Sequence, residues 1–245
     1  MIKKNSRFDY DEFKDSVTKL LSDLEIPYND ILLYIQSFVH KSVLNEKSTQ
    51  FKESNERLEF FGDAVLELIV TEMLYFNYPE KSEGDLTDIR SAVVRGKNLA
   101  IVSSNLKFQN YVILSKGEIL AGGNENPYIL ANTLEAFLGG LYIDLGYDKA
   151  KDFVKEHIFS TLSEIMENKL HIDPKSYLQE IVQSKYNVTP NYEVISESGM
   201  DHEKNYLIGV YFDEKKIGEG TGSSKKKAQK NAAENALENL SEWFN

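Results

Sequence analysis

The sequence predicts an all-α domain followed by a small α+β domain with the element order α-β-β-β-α. From about residue 8 to residue 166, apolar residues recur at spacings of three and four with few prolines, which is the period of helices. At Lys169-Leu170-His171-Ile172-Asp173-Pro174 the pattern changes, and Asp-Pro can cap and start a new helix. Beyond that point short alternating runs lie between two helical ones. The expected domains are therefore residues 1–168 and 173–243.

In the first domain the helices are separated at 77–79 (Asn-Tyr-Pro), 82–85 (Ser-Glu-Gly-Asp) and 121–127 (Ala-Gly-Gly-Asn-Glu-Asn-Pro). In the second, a helix is expected from Pro174 to about Ser184. Strands follow at 191–197, 205–212 and 216–220, and a last helix runs from Ser224 to about Glu242. No internal repeat or low-complexity segment is present.

Composition narrows the function classes. An apolar content of 41% in 245 residues supports a real core and a large domain beside a small one. The absence of cysteine removes disulfides and thiolate metal sites. No stretch approaches the 18 apolar residues of a membrane span, and the N-terminus has no hydrophobic signal core, so a soluble, cytoplasmic protein without a membrane partner is expected. The net charge of −11 disfavours bulk attraction to nucleic acid, but it is an average that can conceal a local basic patch.

The strongest chemical signal lies at residues 55–66. Glu56, Glu59, Asp63 and Glu67 share one helical stripe, while Leu58, Phe61, Ala64, Val65, Leu68 and Ile69 cover the opposite side and Phe60 and Val70 flank the acids. A helix apolar nearly all round reads as buried. Buried carboxylates need a cation or several hydrogen bonds to stay charged, so the stripe points to a bound cation. The alternatives are a solvated face or ion pairs to Arg57, Arg90 or Arg95.

A second helical run, residues 129–142, places Asn132 and Glu135 on one face among the small residues Ala131, Ala136, Gly139 and Gly140. Small residues let another helix approach closely. Four oxygen-bearing side chains from two facing helices can cage a hard cation such as Mg²⁺. Asn-x-x-Glu alone is a weak signal, and its value comes from the pairing. His40, His157, His171 and His202 are scattered and form no triad.

Near the C-terminus, Lys225, Lys226, Lys227 and Lys230 sit at the start of a helix whose Ala228, Ala232, Ala236 and Leu240 form its buried stripe. Cations there oppose the helix dipole, and an anion such as phosphate would resolve the conflict. The alternative is a solvated lysine run. Gly218-x-Gly220-x-Gly222 fits neither the dinucleotide nor the P-loop spacing.

Taken together these motifs resemble bacterial ribonuclease III. The resemblance rests on residues 55–66, Glu83-Gly84-Asp85-Leu86, Val94-Arg95-Gly96, Lys116-Gly117-Glu118, Gly122-Gly123, and 129–136, in the family's order and over nearly the whole chain. It implies a Mg²⁺-dependent endonuclease, with Mn²⁺ as a substitute, that cuts double-stranded RNA and leaves 5′-phosphate and 3′-hydroxyl ends. It further implies a homodimer that processes ribosomal and other precursor RNAs. Carried over by position, Glu59, Asp63, Asn132 and Glu135 are the metal ligands, Asp63 and Glu135 are those most tied to catalysis, and Glu56 is a secondary residue. The second domain resembles a double-stranded RNA-binding domain, which spans about 16 bp of A-form helix. There Ser176, Gln179, Glu180 and Gln183 would face one minor groove, His202 another, and Lys225, Lys226 and Lys230 the phosphates.

The chain departs from the family pattern in three places. Asn132 stands where Asp is usual, removing one negative charge from the expected cage. Residues 123–128 lack the Arg and Ser that often precede the Ile-Leu-Ala run, and Met200 stands where Pro is common. Residues 173–245 hold 9 Lys against 12 Asp plus Glu, a net −3, so RNA affinity is expected to be modest, focused and strongly salt-sensitive. Asn132 also keeps open an RNA-binding protein with a silenced nuclease domain. A helical interaction protein with an ion-paired stripe is the third alternative.

Overall fold

The computed structural model describes residues 9–46, 49–199 and 204–240. The chain divides into two compact units between His171 and Ile172. The first is helical: α1 (Tyr10–Asp23), α2 (Ile31–Ser37), α3 (Glu56–Asn77), α4 (Glu83–Val93), α5 (Gly96–Asn105), α6 (Lys116–Leu120), α7 (Pro127–Phe153) and α8 (Leu162–Glu167). The helix ends follow local chemistry. Asp9 caps α1, and Ser82 and Asp85 form a reciprocal capping box on α4, so the break expected at 82–85 is a helix start. Asn126 and Pro127 open α7.

α3 and α7 form the centre of this unit. Phe137 of α7 is fully buried, with ring centroids 5.0 Å from Phe108, 5.4 Å from Phe153 and 5.5 Å from Tyr34. Asp144 of α7 accepts hydrogen bonds from the backbone amides of Asn29 and Asp30 (both 2.9 Å) and from the Tyr34 hydroxyl (3.1 Å), which fixes the start of α2 against α7.

The second unit contains α9 (Pro174–Tyr186), the antiparallel sheet β1-β2-β3 (Asn191–Ser198, Asn205–Phe212, Lys215–Gly222) and α10 (Lys225–Glu238). Asp173 caps α9, and Asn187 ends it in the left-handed conformation. Both helices bury one face on the sheet, with Leu178 and Val182 of α9 and Ala232 and Ala236 of α10 around Val210 and Ile217. The elements differ from the expected bounds by up to two residues, except that α10 ends at Glu238, four residues before the expected Glu242, which lies outside the described residues.

The glycine run in β3 is a packing device and not a nucleotide loop. A Cβ on Gly218, Gly220 or Gly222 would lie 2.7, 2.2 or 2.6 Å from the backbone nitrogens of Ala236, Ala232 and Ala228. Alternate residues of a strand share a face, so three bare positions let α10 rest directly on the strand.

One expectation fails. α3 is not buried all round: it buries Leu58, Val65, Leu66, Ile69, Val70, Met73 and Leu74, but Phe60 is 81% exposed, Leu68 57% and Phe76 71%. The chain packs on one side of α3 only, and a second apolar face stays open.

Candidate active site

The two acid-bearing helices cross at a point where neither has a side chain. A Cβ on Gly62 would fall 1.8 Å from the backbone oxygen of Glu135, and one on Gly139 would fall 2.3 Å from that of Leu58. Backbones in such close contact bring Glu59 and Asp63, either side of Gly62, opposite Asn132 and Glu135. The Asn132 Nδ2 donates to Glu59 Oε1 at 2.8 Å.

Electrostatics tie the four together. The Glu135 carboxyl is pushed up to about 8, first by burial and then by the charges of Asp63 and Glu59. Glu59 is also raised, chiefly by burial, with Glu56 and Asp63 adding and the Asn132 hydrogen bond and Lys41 opposing. A carboxylate set that hinders its own ionisation is short of positive charge. Hard oxygen donors in that condition fit a divalent cation. Among the described residues no three His, Asp or Glu side chains converge tightly enough to cage an ion as they stand. Asp63 points to solvent, while Glu59 is turned to Asn132.

The rest of the stripe divides. Glu67 is ion-paired to Arg90 at 3.0 Å, and Arg90 also donates to Thr71, so Glu67 holds α4 against α3. Glu56 pairs with Lys41 at 2.9 Å and accepts from Ser54, and the Lys41 hydrogen bond holds its carboxyl below the usual range. His40, Lys41, Asn55, Glu56, Glu59, Tyr128 and Asn132 line a small recess beside the four-residue cluster. Lys41 escaped the sequence reading because it opens the short helical turn of residues 41–45 that follows α2, outside the motifs.

In the second unit a groove of about 540 Å³ is lined by Ser176 and Gln179 of α9 together with Lys226 and Lys230 of α10. Lys227, part of the lysine run read from the sequence, and Lys175, not anticipated there, also line it. The i, i+1, i+4 spacing of Lys226, Lys227 and Lys230 was the available signal. Lys225 is elsewhere: it pairs with Glu197 at 3.2 Å and lies over the Tyr206 ring. Glu180 and Gln183 are exposed further along α9 without lining the groove, and His202 falls outside the described residues. Lys175 donates to Gln229 at 2.7 Å, joining the two helices across the groove.

Comparison with known proteins agrees with this organisation. A family profile described as Ribonuclease-III-like matches residues 30–162, and one described as Double-stranded RNA binding motif matches residues 174–240. Ribonuclease 3 of Bacillus cereus is 38% identical over 94% of both chains. Ribonuclease 3 of Borreliella burgdorferi is 40% identical over 94% of both, and that of Enterococcus faecalis is 41% identical over 86% of this chain and 92% of its own. A solved nuclease domain of ribonuclease III from Campylobacter jejuni superposes with a TM-score of 0.54 and 35% identity over 59% of this chain and 96% of that one. A helical unit with paired acids, followed by a lysine-lined α-β-β-β-α unit and matched along nearly its whole length, places this chain in the ribonuclease III family of double-strand-specific endoribonucleases.

Proposed function

We propose that the chain hydrolyses phosphodiester bonds in double-stranded RNA by a Mg²⁺-dependent mechanism, leaving 5′-phosphate and 3′-hydroxyl ends in ribosomal and other precursor RNAs. The observation that carries this reading is the meeting of Glu59 and Asp63 with Asn132 and Glu135 across the Gly62–Gly139 crossing. These four residues would hold the ion, and Asp63 and Glu135 would be the catalytic pair. Bound Mg²⁺, or Mn²⁺ in its place, lowers the pKa of a water and stabilises a developing oxyanion. The chain's own contribution is to place the donors and exclude bulk solvent from Glu135. The Asn132 amide orients Glu59 through its Nδ2 and leaves its Oδ1 free to ligate.

In the second unit, Ser176, Gln179, Lys226 and Lys230 would engage RNA through the groove, while Glu180, Gln183, Lys225 and His202 would contribute RNA contacts outside it, as the family resemblance implies. A homodimer is the proposed assembly and the cytoplasm the proposed location. The open apolar face of α3 supports the dimer, as does the likeness to the Campylobacter jejuni nuclease domain, which has a region involved in dimer formation. No helix among the described residues is long and apolar enough to cross a membrane.

Cleavage of a labelled RNA duplex with and without Mg²⁺, alongside Glu135→Gln, tests the reading. Metal-dependent cutting lost in the variant is expected, and duplex binding with no cutting at any Mg²⁺ concentration would leave an RNA-binding protein with a silent nuclease domain. In the same assay Asn132→Asp is expected to need less Mg²⁺ for half-maximal rate. An unchanged requirement would remove Asn132 from the ligand set.

A further inference from the structure

The recess beside the acid cluster contains one lysine and no arginine. It is lined by Lys41 with His40, Asn55, Glu56, Glu59, Tyr128, Ile129 and Asn132. The backbone carrying Lys41 is fixed from two sides. The His40 amide donates to the Ile113 oxygen at 3.1 Å, and the Asn55 amide, at the foot of α3, donates to the Val39 oxygen at 2.8 Å. Ser42 Oγ contacts His40 Nδ1 at 2.8 Å and accepts from the Ser115 amide at 3.0 Å. A rigid mount therefore presents a long, mobile cation at the mouth of the recess.

Among the described residues its ion-pair partner is Glu56, at 2.9 Å, with the two side chains 62% and 53% exposed. Pairs this exposed add little to stability, so fold stability does not account for holding Lys41 here. Its charge reaches Glu59 as well, where it opposes the rise of that carboxyl. His40 adds no charge near neutrality, because burial chiefly lowers its pKa. An anionic RNA strand entering a site that already carries Glu56, Glu59, Asp63 and Glu135 meets repulsion, and Lys41 is the side chain of the recess able to relieve it.

We propose that Lys41 is a phosphate-binding residue of the nuclease site, which exchanges its ion pair with Glu56 for a non-bridging oxygen of the RNA strand next to the cut. The assignment rests on the nuclease reading above. It involves no covalent step and gives Lys41 a role in holding substrate, separate from the metal ligands.

The full chain is assayed on a labelled RNA duplex at saturating Mg²⁺ from about 50 to 200 mM salt, with duplex binding followed by fluorescence anisotropy in parallel. Lys41→Gln is expected to raise KM about tenfold with kcat within about twofold, as for loss of one charge-assisted contact. It is also expected to reduce the slope of log affinity against log salt by about 0.9. Lys41→Arg keeps the slope, and Lys149→Gln, on the exposed surface of α7, controls for removal of one charge. A Lys41→Gln enzyme with wild-type KM and slope overturns the proposal. So does one whose half-saturating Mg²⁺ shifts while KM and slope stay fixed, which would make Lys41 a tuner of the metal site. If the wild type does not cut at all, the nuclease reading fails, and the anisotropy slopes still decide whether Lys41 meets phosphate.

Discussion

Substituting Gly62 by alanine should separate two functions of one atom's absence: holding the helical unit together and holding the acid cluster together. An added Cβ would lie 1.8 Å from the Glu135 carbonyl oxygen, 2.7 Å from its carbonyl carbon and 2.8 Å from the Gly139 nitrogen, where ordinary contact begins at 3.4 Å. All three obstacles are backbone, so no rotamer change relieves them. α3 and α7 must part locally by about 1.6 Å, the difference between ordinary contact and 1.8 Å. Overpacking usually costs about 1–3 kcal/mol. A clash with unyielding backbone belongs at or above the top of that range, and about 3–4 kcal/mol lowers the melting temperature of a unit this size by about 10 °C. The same displacement stretches the 2.8 Å Asn132–Glu59 hydrogen bond past any useful length. Misplacement by an ångström costs about 100-fold in rate. Differential scanning calorimetry and single-turnover cleavage at 10 °C, well below the melting transition, read the two effects separately. Gly84→Ala, whose Cβ would meet nothing nearer than 3.8 Å, is the control. A Gly62→Ala protein that melts with the wild type and cuts at the wild-type rate would refute the close-crossing argument.

Other expectations follow from the same geometry. Glu135 prefers its proton up to about pH 8 when folded, against 4.5 for the free side chain, so the metal-free native state holds the extra proton in that window and its stability falls as pH rises from about 4.5 to 8. The gap caps the loss at about 5 kcal/mol, and partial solvent access reduces it to about 1–2 kcal/mol; denaturant midpoints that are level between pH 5 and 8 without Mg²⁺ would contradict it. Glu135→Gln should level the same profile. Phe60→Lys, on the open face of α3, should move the sedimentation coefficient from dimer to monomer, and an unchanged coefficient would shift the interface elsewhere. In the second unit, Lys226→Ala or Lys227→Ala should weaken duplex binding about tenfold and reduce its salt dependence, while Lys225→Ala, held by Glu197, should do less; equal losses at all three would argue against the groove as the phosphate track.

The sequence made some of this legible and hid the rest for definable reasons. The starts of α9 and α7 were readable because Asp173-Pro174 and Asn126-Pro127 carry the chemistry of helix starts. The α3–α7 pairing was readable because Gly139 and its small neighbours advertise a close approach. The direction in which α3 faces was not. Phe60, Leu68 and Phe76 follow the same apolar rule whether they meet this chain or another molecule, so an interface and a core look alike in one sequence. Lys41 and Glu56 lie 15 residues apart with a turn between them, and no periodicity links such a pair. Lys225 and Lys226 are adjacent in the chain, yet neighbouring residues on a helix point about 100° apart. The tertiary position of Glu197 decided which way Lys225 turned.

The three bare positions of β3 also set a ruler for α10. Two residues along a strand advance about 6.6 Å and four along a helix about 6.0 Å, so Gly222, Gly220 and Gly218 keep nearly in step with Ala228, Ala232 and Ala236. The mismatch of about 0.6 Å per step grows to about 1.2 Å over the three rungs, which is near the limit of what close packing tolerates. α10 can therefore seat in a single axial position, and sliding it by one residue would drive the side chain of Ala233, Asn231 or Leu237 into the strand. An inserted or deleted residue between 228 and 236 would do more than lengthen a helix. It would shift the lysines of the first turn out of phase with α9, and the spacing proposed for meeting successive phosphates would be lost with the protein still folded.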